Sequence, residues 1–68
     1  MEISVNGKKM FIGSPCCLDA ILGNLGINNL TPSIAIAING RIVFRRNWGQ
    51  TPIVSGDQIE VIHAAQGG

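Results

Sequence analysis

The sequence predicts an α+β domain in which one helix packs on one face of a mixed β-sheet. Three observations predict it. Asn6-Gly7 and Asn39-Gly40 each lie between segments of alternating polarity, and Asn-Gly is the preferred pair for a two-residue type I′ hairpin. One segment alone has the helical period, with Leu18, Ile21, Leu22 and Leu25 at i, i+3, i+4 and i+7. A last alternating segment, "QIEVIH", follows the turn residues Ser55-Gly56-Asp57.

Each element follows from its residues. Residues 2–6, "EISVN", put Ile3 and Val5 on one face of a first strand. "KKMFI", residues 8–12, returns as its partner, and its two lysines suit an exposed edge. Ser14 is a favourable N-cap, and Pro15 falls at the first helical position, where its missing N–H costs nothing. The helix is therefore expected over residues 15–25, with Gly26 at the left-handed C-cap. Gly23 weakens it by up to ~1 kcal/mol relative to alanine. In "TPSIAIAINGRIVF", Ile34, Ile36 and Ile38 face a core, while Ala35 and Ala37 face something close or half-covered. Residues 41–44 return as the partner strand. Residues 45–57 are loop-rich, with a short strand placed at Ile53-Val54. "QIEVIH" closes the domain with Ile59 and Val61 inward.

The order β-β-α-β-β-β, with one helix after the first hairpin, is that of the ubiquitin-like β-grasp fold. There the last strand is central and the chain leaves it as a tail. The expected division is a folded domain over residues 1–63 and a flexible Gly-Gly tail over 64–68.

Composition narrows the function. Of 68 residues, 46% are hydrophobic and 13% charged, too apolar and too weakly charged for a disordered chain. One small domain fits this length. The net charge is +1, and Arg41, Arg45 and Arg46 form the one basic cluster. Nucleic-acid binding normally requires a stronger basic field. No apolar run approaches the ~20 residues of a membrane-spanning helix, and the start lacks a signal-peptide pattern. A cytoplasmic protein bound neither to nucleic acid nor to membrane is expected.

Over its whole length the chain resembles the ThiS family, the small sulfur carriers of thiamine biosynthesis. The resemblance rests on "MEISVNGK" at the start and "AIAINGRIVFRRNW" in the middle. The latter carries the arrangement N-G-x-[IV]-V-x-R-x-x-W through Asn39, Gly40, Val43, Arg45 and Trp48. It rests also on G-D-x-I-E-V from Gly56 to Val61, and on Gly67-Gly68 at the end. Family members often carry a larger aliphatic residue where Ala65 stands, and Cys16-Cys17 is not a family feature.

The resemblance implies a carrier rather than an enzyme, with no catalytic residue, bound cofactor or metal of its own. It makes the Gly68 α-carboxylate the reactive group. A C-terminal carboxylate is ionised at neutral pH and is then a poor electrophile, so it must be activated. The implied activator is an E1-like adenylating enzyme using ATP and magnesium. A persulfide sulfur donor then yields a thiocarboxylate, and a thiazole synthase takes that sulfur. Gln66 and Gly67 would thread into the partner's active site. Glycine lacks a Cβ and accepts unusual backbone angles, so it suits a narrow channel. Five extended residues reach about 16–18 Å. The bland reading of the same residues is a frayed end.

Other residues have competing readings. Arg45, Arg46 and Trp48 are either local structure or a partner-docking surface, being types enriched at interfaces. Phe11 and Phe44 are core or partner surface. His63 reads as a half-exposed strand residue, since a general base needs an acid or nucleophile beside it. Cys16 and Cys17 lie in the expected first helical turn, where thiols are activated. Adjacent side chains on a helix do not face one another, so packing outweighs a redox or sulfur-relay role. One histidine and two adjacent cysteines lack zinc-ligand spacing. Three alternatives stay open: a sulfur carrier for molybdopterin or cysteine synthesis, a ubiquitin-like protein modifier, and an interaction module with an inert tail.

Overall fold

The computed structural model describes residues 1–64. Strands β1 (Glu2–Val5) and β2 (Lys8–Phe11) form the first hairpin, and β3 (Ile34–Ile38) and β4 (Arg41–Val43) the second. Both turns have the expected left-handed pair, with φ of 50° and 84° at Asn6-Gly7 and 52° and 83° at Asn39-Gly40. Strand β5 (Gln58–His63) runs between the hairpins, parallel to β1 and antiparallel to β3. The sheet order is β2-β1-β5-β3-β4, so the last strand is central, as the sequence predicts.

Both turn asparagines also fasten β5. The Val61 N–H donates to Asn6 Oδ1 at 2.8 Å, and the Gln58 N–H donates to Asn39 Oδ1 at 2.9 Å. The Asn-Gly pairs thus turn two hairpins and stitch both to one strand.

Helix α1 (Leu18–Asn24) is shorter than the expected span of 15–25. The chain at Cys16 and Cys17 is occupied elsewhere. Cys17 pairs with Pro52 in an isolated bridge, and the Ile53 N–H donates to the Cys16 carbonyl at 3.0 Å. Extended backbone at Cys17 (φ −96°, ψ 169°) makes this residue the N-cap in place of Ser14. The same pairing accounts for Ile53-Val54, which forms no strand: its edge partner is two residues of loop. Before it, Arg45–Gln50 form a 3₁₀ helix where the sequence predicts loop-rich chain.

The C-terminal end of α1 follows the glycine signal. Gly26 has φ 79°, its N–H bonds the Gly23 carbonyl, and the Ile27 N–H reaches back to Leu22 at 2.8 Å. This is a Schellman closure, and its usual hydrophobic contact joins Leu22 with Ile27. Ile27 is consequently buried, whereas Leu25, expected on the apolar stripe, is exposed.

The core lies between α1 and one sheet face. Ile3, Leu18, Ile21, Leu22, Ile36 and Ile59 are fully buried, joined by Ile27, Ile53 and Trp48. Each such aliphatic side chain stabilises the fold by about 1.5–3 kcal/mol relative to exposure. Among the described residues no helix is long and apolar enough to cross a membrane.

Candidate functional site

Strand β5 delivers the chain to the site. Its pairing with β3 runs from Ile38–Ile59 to Ile34–His63. One step further, the Ala64 N–H donates to the Ser33 carbonyl at 2.8 Å. Ala64 is the last described residue and the root of the predicted tail. Gln66, Gly67 and Gly68, on which the predicted chemistry rests, lie outside the described residues. His63 is exposed on β5 opposite Ile34.

Beside the root lies an open sheet face. Side chains alternate along a strand, so the residues between the core positions point away from α1. On β5, β3 and β4 these are Ile62, Ala35 with Ala37, and Ile42. Ala35 pairs with Ile62 and Ala37 with Ile42. Ile62, Ile42 and the following Phe44 are exposed. The small alanines leave a shallow apolar floor between larger walls. Toward β1 the same face is more polar: Glu2 and Ser4 of β1, Lys9 of β2, and Gln58 and Glu60 of β5 line an open hollow. Glu2 and Lys9 stand 3.9 Å apart there, both solvent-exposed.

The three candidate docking residues separate. Trp48 is buried, and its indole N–H donates to the Val43 carbonyl at 3.0 Å. Arg45 lies over the Trp48 ring, 4.8 Å from its centroid. Three residues make one 3₁₀ turn, so i and i+3 eclipse; this is why the R-x-x-W spacing stacks them. The Arg45 fork donates to the carbonyls of Asn29 at 2.9 Å and Ile34 at 3.2 Å. Arg46 is exposed and lies over Phe44, 5.1 Å from its ring centroid, at the margin of the apolar face. Phe11 is exposed at the opposite edge, on β2.

Ile42 and Ile62 were not singled out from the sequence. The signal was present in the Ile/Ala alternation of β3, which marks a second, shallower face. Ser33 and Ala64 carried no local signal, because their contact joins the ends of the neighbouring strands β3 and β5 from distant parts of the sequence.

Cys16 and Cys17 are half-buried free thiols. Cys16 packs against the core, and Cys17 caps α1 without a side-chain hydrogen bond. Among the described residues, no three His, Cys, Asp or Glu side chains cluster to hold a metal ion.

Comparison with known proteins gives this arrangement a family. No relative is found among curated protein sequences. A crystal structure of a thiamine biosynthesis protein (ThiS) from Geobacter metallireducens shares the fold with a TM-score of 0.83 at 23% identity, covering all of both chains. A solution structure of a thiamine biosynthesis protein from the same organism gives 0.75 at 22% identity, covering all of this chain and 88% of that one. Both carry the β-grasp fold expected from the element order. The ThiS family model matches residues 3–68, all but the first two residues, and the chain belongs to the ThiS family.

Proposed function

We propose that this ThiS-family sulfur carrier works through the Gly68 carboxylate. The observation that carries the reading is the span of the family match, which includes Gly67-Gly68. The fold supports it, because the central strand leads directly into that segment beside an apolar surface.

In this reading an E1-like enzyme docks the domain and takes the tail into its active site. A carboxylate oxygen attacks the α-phosphorus of ATP, and pyrophosphate leaves with its magnesium. The acyl-adenylate is now electrophilic, with AMP as leaving group. The terminal sulfur of a persulfide displaces AMP, and a second thiol cleaves the resulting acyl disulfide to release the thiocarboxylate. Thiazole synthase then receives that sulfur. The carrier contributes reach, a Cβ-free end and a docking face; the partners contribute the catalytic groups. Ile42, Ile62 and Phe44 form the apolar centre of that face and Arg46 its charged margin. An exposed apolar cluster with a polar rim is the usual anatomy of a docking site.

The test uses the C-terminal peptide. The chain is incubated with ATP, magnesium, a sulfur donor and its adenylating enzyme, then cleaved after Arg46. Residues 47–68 contain neither Met nor Cys, so a thiol-alkylating reagent labels them only through a thiocarboxylate. Labelling that disappears on deletion of Gly68 is expected. An unlabelled peptide beside a positive control carrier would overturn the proposal, and a tail remnant joined to lysines of other proteins would point to a modifier.

A further inference from the structure

Two distant parts of the motif region meet at the root of the tail. Strand β4 pairs with β3 up to Ile36–Val43. By the same register Ile34 falls opposite Arg45, where the 3₁₀ helix has already begun. The strand therefore stops short, and the Arg45 guanidinium takes the Ile34 carbonyl that a longer β4 would have bonded. Its other arm holds Asn29. One fork thus spans both ends of the segment 29–34, and stacking on buried Trp48 fixes its direction.

Ser33 sits inside this clamped segment with φ 59°. The left-handed region is unfavourable for a residue with a Cβ, so the surrounding contacts must hold it there. In that conformation the Ser33 carbonyl receives the Ala64 N–H at 2.8 Å. Among the described residues, this hydrogen bond holds the C-terminal one, Ala64, to the fold. Trp48, Arg45, Ile34, Ser33 and Ala64 form a continuous series from the core to the last described residue.

We propose that Arg45 is a positioning residue for the tail: by holding Ile34 and Asn29 it keeps Ser33 in place to grip Ala64, and so fixes where the reactive segment starts. The inference rests on the carrier function given above. It assigns Arg45 to presentation of the tail rather than to the partner-facing surface. Holding a reactant in position raises the fraction of docked complexes that can react.

The experiment compares the full chain with Arg45→Gln, Arg45→Lys and the core control Ile53→Val. Amide hydrogen exchange is read at Ala64 relative to Ile62, two residues back on β5. In Arg45→Gln the Ala64 amide is expected to lose protection about fivefold or more relative to Ile62, since removing the fork frees the local segment without opening the strand. Arg45→Lys keeps the charge but not the fork, and is expected to recover less than half of the loss. Ile53→Val lowers protection at both amides together. Steady-state adenylation by the partner enzyme supplies the functional readout: kcat falls about threefold to tenfold with KM within about twofold. A raised KM at unchanged kcat would place Arg45 in docking and overturn the proposal. So would Ala64 and Ile62 losing protection in step. If the wild-type chain is never adenylated, the carrier reading fails by itself, and the exchange ratio still decides whether Arg45 grips the root.

Discussion

The Asn39 side-chain amide donates to Asp57 Oδ1 at 3.0 Å, joining the second hairpin turn to the entry of the central strand. Asp57 is 7% exposed and is the one buried charged side chain among the described residues. Its second oxygen accepts the Val54 N–H at 2.9 Å. A buried carboxylate with both oxygens occupied is costly to disturb. Asn39→Gly keeps the left-handed turn and removes two side-chain hydrogen bonds, at an expected cost of about 1–2 kcal/mol. Asn39→Asp keeps the acceptor for Gln58 but sets one carboxylate against another. It is expected to cost more than the glycine variant in urea denaturation at neutral pH. The reverse order would show that turn geometry, not the Asp57 contact, dominates at this position.

Trp48 is the sole tryptophan, so it reports on its own environment. Burial at 2% exposure predicts native emission to the blue of the unfolded chain. Trp48→Phe removes the indole donor from the Val43 carbonyl and leaves unfilled volume. A loss of about 1–3 kcal/mol is expected from denaturant titration followed by circular dichroism.

Cys17 holds the N-cap position with extended backbone and no side-chain hydrogen bond to the first turn. Serine is a preferred residue there because its oxygen accepts a free helical N–H. Cys17→Ser is expected to stabilise the domain by about 0.5–1 kcal/mol, raising Tm by a few degrees. It should leave tail labelling unchanged. Loss of labelling in this variant would restore the thiol to the sulfur chemistry.

The open sheet face predicts a separation of binding from stability. Ile42→Thr with Ile62→Thr keeps β-branched residues in both strands, so unfolding free energy should change by less than about 1 kcal/mol. Affinity for the adenylating enzyme should weaken about tenfold or more. Leu30→Thr is the control: Leu30 is 85% exposed, in the segment between α1 and β3. Equal effects of both changes on affinity would remove the face from docking.

The hairpins were legible because Asn-Gly encodes its own geometry within two residues. The helix was legible in period but not at its start. Ser14-Pro15 is a sound local signal, yet Cys16 and Cys17 are drawn into extended pairing with Pro52 and Ile53, more than thirty residues away. That same long-range contact replaced the strand at Ile53-Val54. Arg45, Arg46 and Trp48 stood out by residue type, but type alone did not separate a buried indole and a committed guanidinium from the exposed Arg46. The Ser33–Ala64 contact was not legible, since it depends on a left-handed serine and on β5 lying beside β3.

The placement of β5 also has a mechanical meaning. A segment drawn into another protein's channel is pulled, and the pull is passed to whatever strand it hangs from. Strand β5 has neighbours on both flanks, with β3 antiparallel and β1 parallel. Tension along it loads many hydrogen bonds at once, in shear, including those to Asn6 and Asn39. An edge strand pulled outward would open one rung at a time, like a zipper. In the proposed mechanism, where partner enzymes grip the tail in turn, a root in the middle of the sheet lets that load be carried while the domain stays folded.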